Sequence, residues 1–173
     1  MYGAYDTIDD RPALRFERRL SHPVETVWRA ITESDELVHW FPSRVEVDEL
    51  HPGAGMTFRF EHMPLEGMPS TISGRVTELD PPHLFAFYWG EDHLRFELEP
   101  VAGAEHACVL RLTVLLDERE KAARDSAGWH VCLDRLDALL AGRGEASEGQ
   151  DWRGLYEEYQ RRGAPAGAPI PGE

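Results

Sequence analysis

The sequence predicts an α+β domain: a curved antiparallel sheet wrapped around one long C-terminal helix, with two short helices after the first strand. Three observations carry this. Several segments alternate apolar and polar residues with a period of two and are joined by short turns, as half-buried antiparallel strands do. Trp129, Cys132, Leu133, Leu136, Leu139 and Leu140 recur at helical spacing near the end of the chain. Val24, Val27, Trp28 and Ile31 mark an early helix before the run of strands begins.

Taken in order, residues 1–12 are polar and acidic and are expected to be a flexible leader, with the domain proper spanning 13–141. Leu14, Phe16, Arg18 and Leu20 alternate with Arg15, Glu17 and Arg19 in a first strand. Pro23 suits the first turn of the early helix, and Glu25 favours its dipole. Ser34 is expected to cap a second helix through Leu37, Trp40 and Phe41, which Pro42 stops. Strands are then expected around Val45 and Val47, around Met56, Phe58 and Phe60, and around Ile72, Gly74 and Val76, where Gly74 marks a bulge or bend. Pro81-Pro82 turns the chain into the aromatic strand Leu84 to Trp89. Leu94, Phe96 and Leu98 form the next strand, and Cys108, Leu110, Leu112 and Val114 the last.

Asp117 is expected to cap the long helix, which runs to about Ala141 and contains Gly128, a residue that permits a kink or a close backbone approach. Residues 142–162 read as a linker and a short amphipathic helix with Trp152, Leu155, Tyr156 and Tyr159 on one face. That face packs on its own chain or, as the alternative, forms a homodimer contact. Residues 163–173, rich in Ala, Pro and Gly, read as a disordered tail.

Composition narrows the function. Hydrophobic residues make up 42% of the 173, too many for a disordered chain and enough for a substantial core. The net charge of −14 repels phosphate backbones and anionic headgroups, so neither a nucleic-acid partner nor membrane insertion is expected. The first residues lack the pattern of a secretion signal, which makes a cytoplasmic protein the expectation. The two cysteines, Cys108 and Cys132, form no disulfide framework and read as buried small hydrophobes. The eight histidines show no metal-ligand spacing, and no nucleophile elbow or phosphate loop is present. Neither a cofactor nor a metal is expected.

The order of these elements resembles the helix-grip fold of the START-like superfamily, also called SRPBCC. Within it the chain is similar to the AHSA-type branch, whose namesake activates the heat-shock-protein-90 ATPase. The echoes are Pro23-Val24-Glu25-Thr26-Val27-Trp28-Arg29-Ala30-Ile31-Thr32, Leu37-Val38-His39-Trp40-Phe41-Pro42 and Gly74 through Pro82. The strand to Trp89 and the late Gly128-Trp129 with Leu133, Leu136, Leu139 and Leu140 complete them. The resemblance spans about residues 14–141. The activator's separate co-chaperone domain has no counterpart in these residues, which makes chaperone activation the less expected role.

The resemblance implies a small hydrophobic ligand, lipid-like or aromatic, held in a hollow between sheet and helix. The candidate walls are Trp40 from the second helix, Phe58 and Phe60 from one strand, and Phe85, Phe87 and Trp89 from the aromatic strand. Phe96 and Leu112 follow from the next two strands, and Trp129, Cys132 and Leu136 from the long helix. Each also serves as ordinary core, since buried aromatics fill protein interiors. A binding module without catalytic machinery is the leading expectation. A cyclase- or dehydratase-like enzyme using the same hollow is one alternative, with His62 its one named general base. A chaperone-regulating domain that docks a protein partner is the other.

Overall fold

The computed structural model describes residues 1–61, 69–143 and 151–170. Eight strands form one antiparallel sheet in the order β1-β2-β8-β7-β6-β5-β4-β3. They are β1 (Ala4–Ile8), β2 (Arg11–Leu20), β3 (Arg44–Glu46), β4 (Gly55–Arg59), β5 (Thr71–Asp80), β6 (Leu84–Trp89), β7 (Asp92–Pro100) and β8 (Cys108–Leu115). The helices are α1 (Val24–Thr32), α2 (Ser34–Leu37), α3 (Ala122–Leu140) and α4 (Trp152–Arg161). The expected α+β class and the single long helix are both present.

Register explains how the inner face is built. Phe85 pairs with Phe96, Phe96 with Leu112, and Leu112 with Phe16, so one row of apolar side chains crosses β6, β7, β8 and β2. Phe87, Leu94, Val114 and Leu14 form the next row. A period of two sends the adjacent Arg95, Arg111 and Glu17 to the other face, where Arg111 pairs with Glu17 and Glu99. The inner rows, α1 and α3 share one hydrophobic core.

Residues 1–12 are not a leader. Asp9 and Asp10 both adopt left-handed φ (49° and 60°) and turn β1 back onto β2, with Ile8 opposite Arg11. Such two-residue turns need positive φ at both positions, which Asp tolerates better than most residues. The acidic pair is therefore hairpin chemistry where the sequence reads as solvated leader.

Residues 163–170 are not free either. Pro165 O accepts from Ala123 N (2.8 Å), Glu120 O accepts from Ala168 N (3.3 Å), and Ala164 is buried. The free amides at the start of α3 are thus served in part by the tail. Asp117 does not cap α3. A short 3₁₀ turn (Arg119–Lys121) intervenes, and the Asp117 carboxylate accepts from Lys121 Nζ at 2.6 Å. Asp92, 5% exposed, accepts from the same ammonium and from Asp117 N, which ties β7 to this turn.

Two further expectations shift by a few residues. The register irregularity in β5 falls between Val76 and Glu78, while Gly74 is regularly paired. Gly74 is required for another reason: a Cβ there would collide with the Tyr88 carbonyl and lie 2.6 Å from the Phe58 ring. Ser34 lies inside α2, whose N-cap is Glu33 without a side-chain bond. A Cβ at Gly128 would meet nothing within 4 Å, so no close approach requires that glycine. The apolar face of α4 packs on its own chain, with Tyr159 fully buried and Trp152, Leu155 and Tyr156 against the core. Asp151 caps α4 by accepting from Gly154 N.

Candidate functional site

The aromatic candidates form one seam running from the sheet to α3. Phe96 lies 6.2 Å from Phe87, which lies 4.8 Å from Phe85 and 5.8 Å from Phe58. Trp89 lies 6.5 Å from Phe58, 6.1 Å from Phe60 and 5.6 Å from Trp129 of α3. These separations suit offset and edge-to-face ring packing. Alternation along β6 places Phe85, Phe87 and Trp89 on the same side of the sheet.

Phe41 joins the two walls, and the sequence reading leaves it out of the hollow. Its ring is 6.0 Å from Phe58, 6.2 Å from Phe87, 6.0 Å from Trp89 and 5.5 Å from Trp129. It follows α2 by four residues, and its amide bonds to Leu37 O. The available signal is the helical spacing of Leu37 and Phe41 just before Pro42.

Burial divides the candidates. Trp40, Phe58, Phe85, Phe96, Leu112 and Leu136 are sealed at 1% exposure or less. Phe87 and Trp129 are nearly so, Cys132 is 5% exposed and Phe60 9%. Trp89 is only half-buried. The deep members are ordinary core, and burial along the seam is least complete at Trp89.

The polar handles of Trp40 and Trp89 differ. Trp40 Nε1 donates to Ala30 O at 2.8 Å and so fastens the α2 segment to α1. Trp89 Nε1 is buried with no hydrogen-bond partner. Cys132 offers no nucleophile, because burial pushes its thiol up to about 12. Cys108 is also free and buried, and desolvation, followed by the nearby Glu25 charge, raises its pKa as well. His62 lies outside the described residues.

Behind α3 sits a polar cluster absent from the expected site. His130 Nδ1 lies 2.9 Å from Tyr159 Oη, which accepts from Gly3 N at 3.0 Å. In the Nε2–H tautomer the tyrosine hydroxyl donates to Nδ1, and Nε2–H faces Asp134, 3.5 Å away. Arg18 Nη2 is 3.6 Å from the other oxygen of Asp134. Burial lowers the His130 pKa, with Asp134 opposing and Arg18 adding to the shift. Burial also pushes Tyr159 up to about 12, which keeps its hydroxyl a donor. The Tyr2 ring covers both His130 and Tyr159, and Arg162 stacks 4.0 Å above it. His130 and Cys132 face opposite ways from α3, as their two-residue spacing requires.

A separate depression of about 310 Å³ lies between the start of α1 and the β7–β8 turn, lined by Pro23, Val24, His83, Pro100, Val101 and Ala107 among others. No seam residue borders it. Among the described residues, no group of three or more His, Cys, Asp or Glu side chains is placed to hold a metal. No helix among them is long and apolar enough to cross a membrane.

Comparison with protein families matches residues 21–141 to the one described as Activator of Hsp90 ATPase homolog 1-like protein. No curated protein matches the chain. Solved structures share the fold. A conserved protein of unknown function from Enterococcus faecalis is 22% identical with a TM-score of 0.74, over 92% of this chain and 89% of the other. CalU16 from Micromonospora echinospora is 22% identical with a TM-score of 0.65, over 90% and 91%. A protein of Bordetella parapertussis is 25% identical with a TM-score of 0.68, over 99% and 94%.

Proposed function

The chain belongs to the family of Activator of Hsp90 ATPase homolog 1-like proteins, and from that premise we propose that it is a noncatalytic binding module. Its ligand is a small apolar molecule, lipid-like or aromatic, held between the sheet and α3. One observation carries this reading: the aromatic seam is continuous from β6 through Phe41 to Trp129, and its burial falls away at Trp89. A binding hollow needs apolar walls and a mouth, and this seam has rings on both sides with its least buried member at one end.

The chemistry of the seam favours holding over transforming. Phenyl and indole rings neither take nor give a proton at neutral pH, and the Cys132 thiol stays protonated. A general base would have to come from outside these walls.

Native mass spectrometry of freshly purified protein tests the proposal. A retained small molecule, released on denaturation and absent from a Trp89→Ala variant, is the expected result. No bound mass, together with no thermal shift across lipid and aromatic libraries, would contradict it and favour a protein-docking role.

A further inference from the structure

Building on the proposed use of the hollow, we infer that its ligand presents a hydrogen-bond acceptor to Trp89 Nε1. Among the described residues three buried side-chain polar atoms lack a hydrogen-bond partner: Arg18 Nη2, Ser43 Oγ and Trp89 Nε1. The first has the Asp134 carboxylate at 3.6 Å as an ionic partner. The second, Ser43 Oγ, is equally unpartnered but is not carried by a ring of the seam. The indole has no ionic partner and lies in the seam itself. Its N–H only donates, and it points in a direction fixed by a rigid ring.

The surroundings of Trp89 deepen the mismatch. Its ring neighbours are Phe41, Phe58, Phe60 and Trp129, and none carries an acceptor atom in its side chain. Trp40, in the same core, has its N–H matched to Ala30 O. The fold thus satisfies a buried indole where burial is complete and leaves one unmet where burial along the seam is least complete. A buried donor without a partner costs stability, and it repays that cost when a ligand supplies the acceptor. The ligand class that fits is an apolar, preferably aromatic, frame bearing one carbonyl, ester or phenolic oxygen. The rings meet the frame and the indole N–H meets the oxygen.

Acetophenone and α-methylstyrene test this, since they differ only by a carbonyl oxygen in place of a methylene group. With the full ¹⁵N-labelled chain, acetophenone should move the Trp89 indole N–H resonance downfield and α-methylstyrene should not. The ratio of their Kd values should change by about fivefold between wild type and Trp89→Phe, the size of one hydrogen bond. Equal indole shifts from both probes, or a ratio unchanged in the variant, would overturn the acceptor inference while leaving the hollow intact. Failure of both probes to perturb the wild-type protein at millimolar concentration would overturn the hollow and the acceptor together. The indole resonance is read in the wild-type chain, so the test holds even if Trp89→Phe does not fold.

Discussion

The two sides of α3 solve the same problem in opposite ways. On one side Trp129 meets the rings of Phe41 and Trp89, and the indole N–H of Trp89 is unpartnered. On the other side His130 and Asp134 engage Tyr159, Gly3 and Arg18, and the protein supplies both ends of the bonds between them. A buried polar group is stable only when paired. The closed side therefore reads as a fastening for α4 and the N-terminal strand. The open side keeps a buried indole donor that no group of the protein meets.

The largest expected effect breaks the open side outright. Phe41→Ala removes the ring that joins both walls and should cost about 3–5 kcal/mol in urea denaturation. Gly74→Ala comes next. Its Cβ meets the Tyr88 carbonyl, a backbone atom with little freedom to move, so a loss of about 1–3 kcal/mol is expected by the same measurement. On the closed side, Tyr159→Phe strips partners from both His130 Nδ1 and Gly3 N, and a loss of about 1–3 kcal/mol follows. The smallest effect belongs to Trp89→Phe, which keeps a ring and deletes an N–H that has no partner. Stability of the ligand-free protein should change by less than about 1 kcal/mol, in either direction. Trp40→Phe is the matched control, because it abolishes the bond to Ala30 O and should be the more destabilising of the two.

Acid separates the two polar anchors. The folded pKa of His130 lies below 6.5, so below that pH the unfolded chain takes up a proton that the folded chain refuses. Stability then falls as pH falls, until the folded pKa is passed. Asp92 acts with the opposite sign. Burial raises its folded pKa from 3.8 to about 6, against the pull of Lys121, so between those values the folded chain binds the extra proton and stability rises as pH falls. His130→Gln should flatten the loss below pH 6.5, and Asp92→Asn should steepen the decline between about pH 6 and 4. Denaturation midpoints measured across pH check both slopes.

Periodicity made most of the sheet legible. Leu94, Phe96 and Leu98, and Cys108 through Val114, alternate as expected and are buried as expected. The first strand-like segment was hidden because Asp9-Asp10 is a weaker turn signal than Asn-Gly, and because the edge strand it feeds is only half apolar. The tail was hidden because its anchoring uses backbone carbonyls such as Pro165 O, which composition cannot reveal. In the site, the strand aromatics were legible as a group. Which of them are sealed and which are only half-buried depends on how α2 and α3 close over the sheet, a long-range fact that leaves no local mark. The same holds for Phe41, and for the pairing of His130 with Tyr159 across 29 residues.

The most direct measurement is a ¹H–¹⁵N map of the full chain during acetophenone titration. Saturable shifts at the Trp89 and Trp129 indole N–H groups, with the His130 and Tyr159 backbone amide signals unmoved, are the predicted result. Shifts centred on His130 and Tyr159, or none at either tryptophan at millimolar probe, would contradict the account.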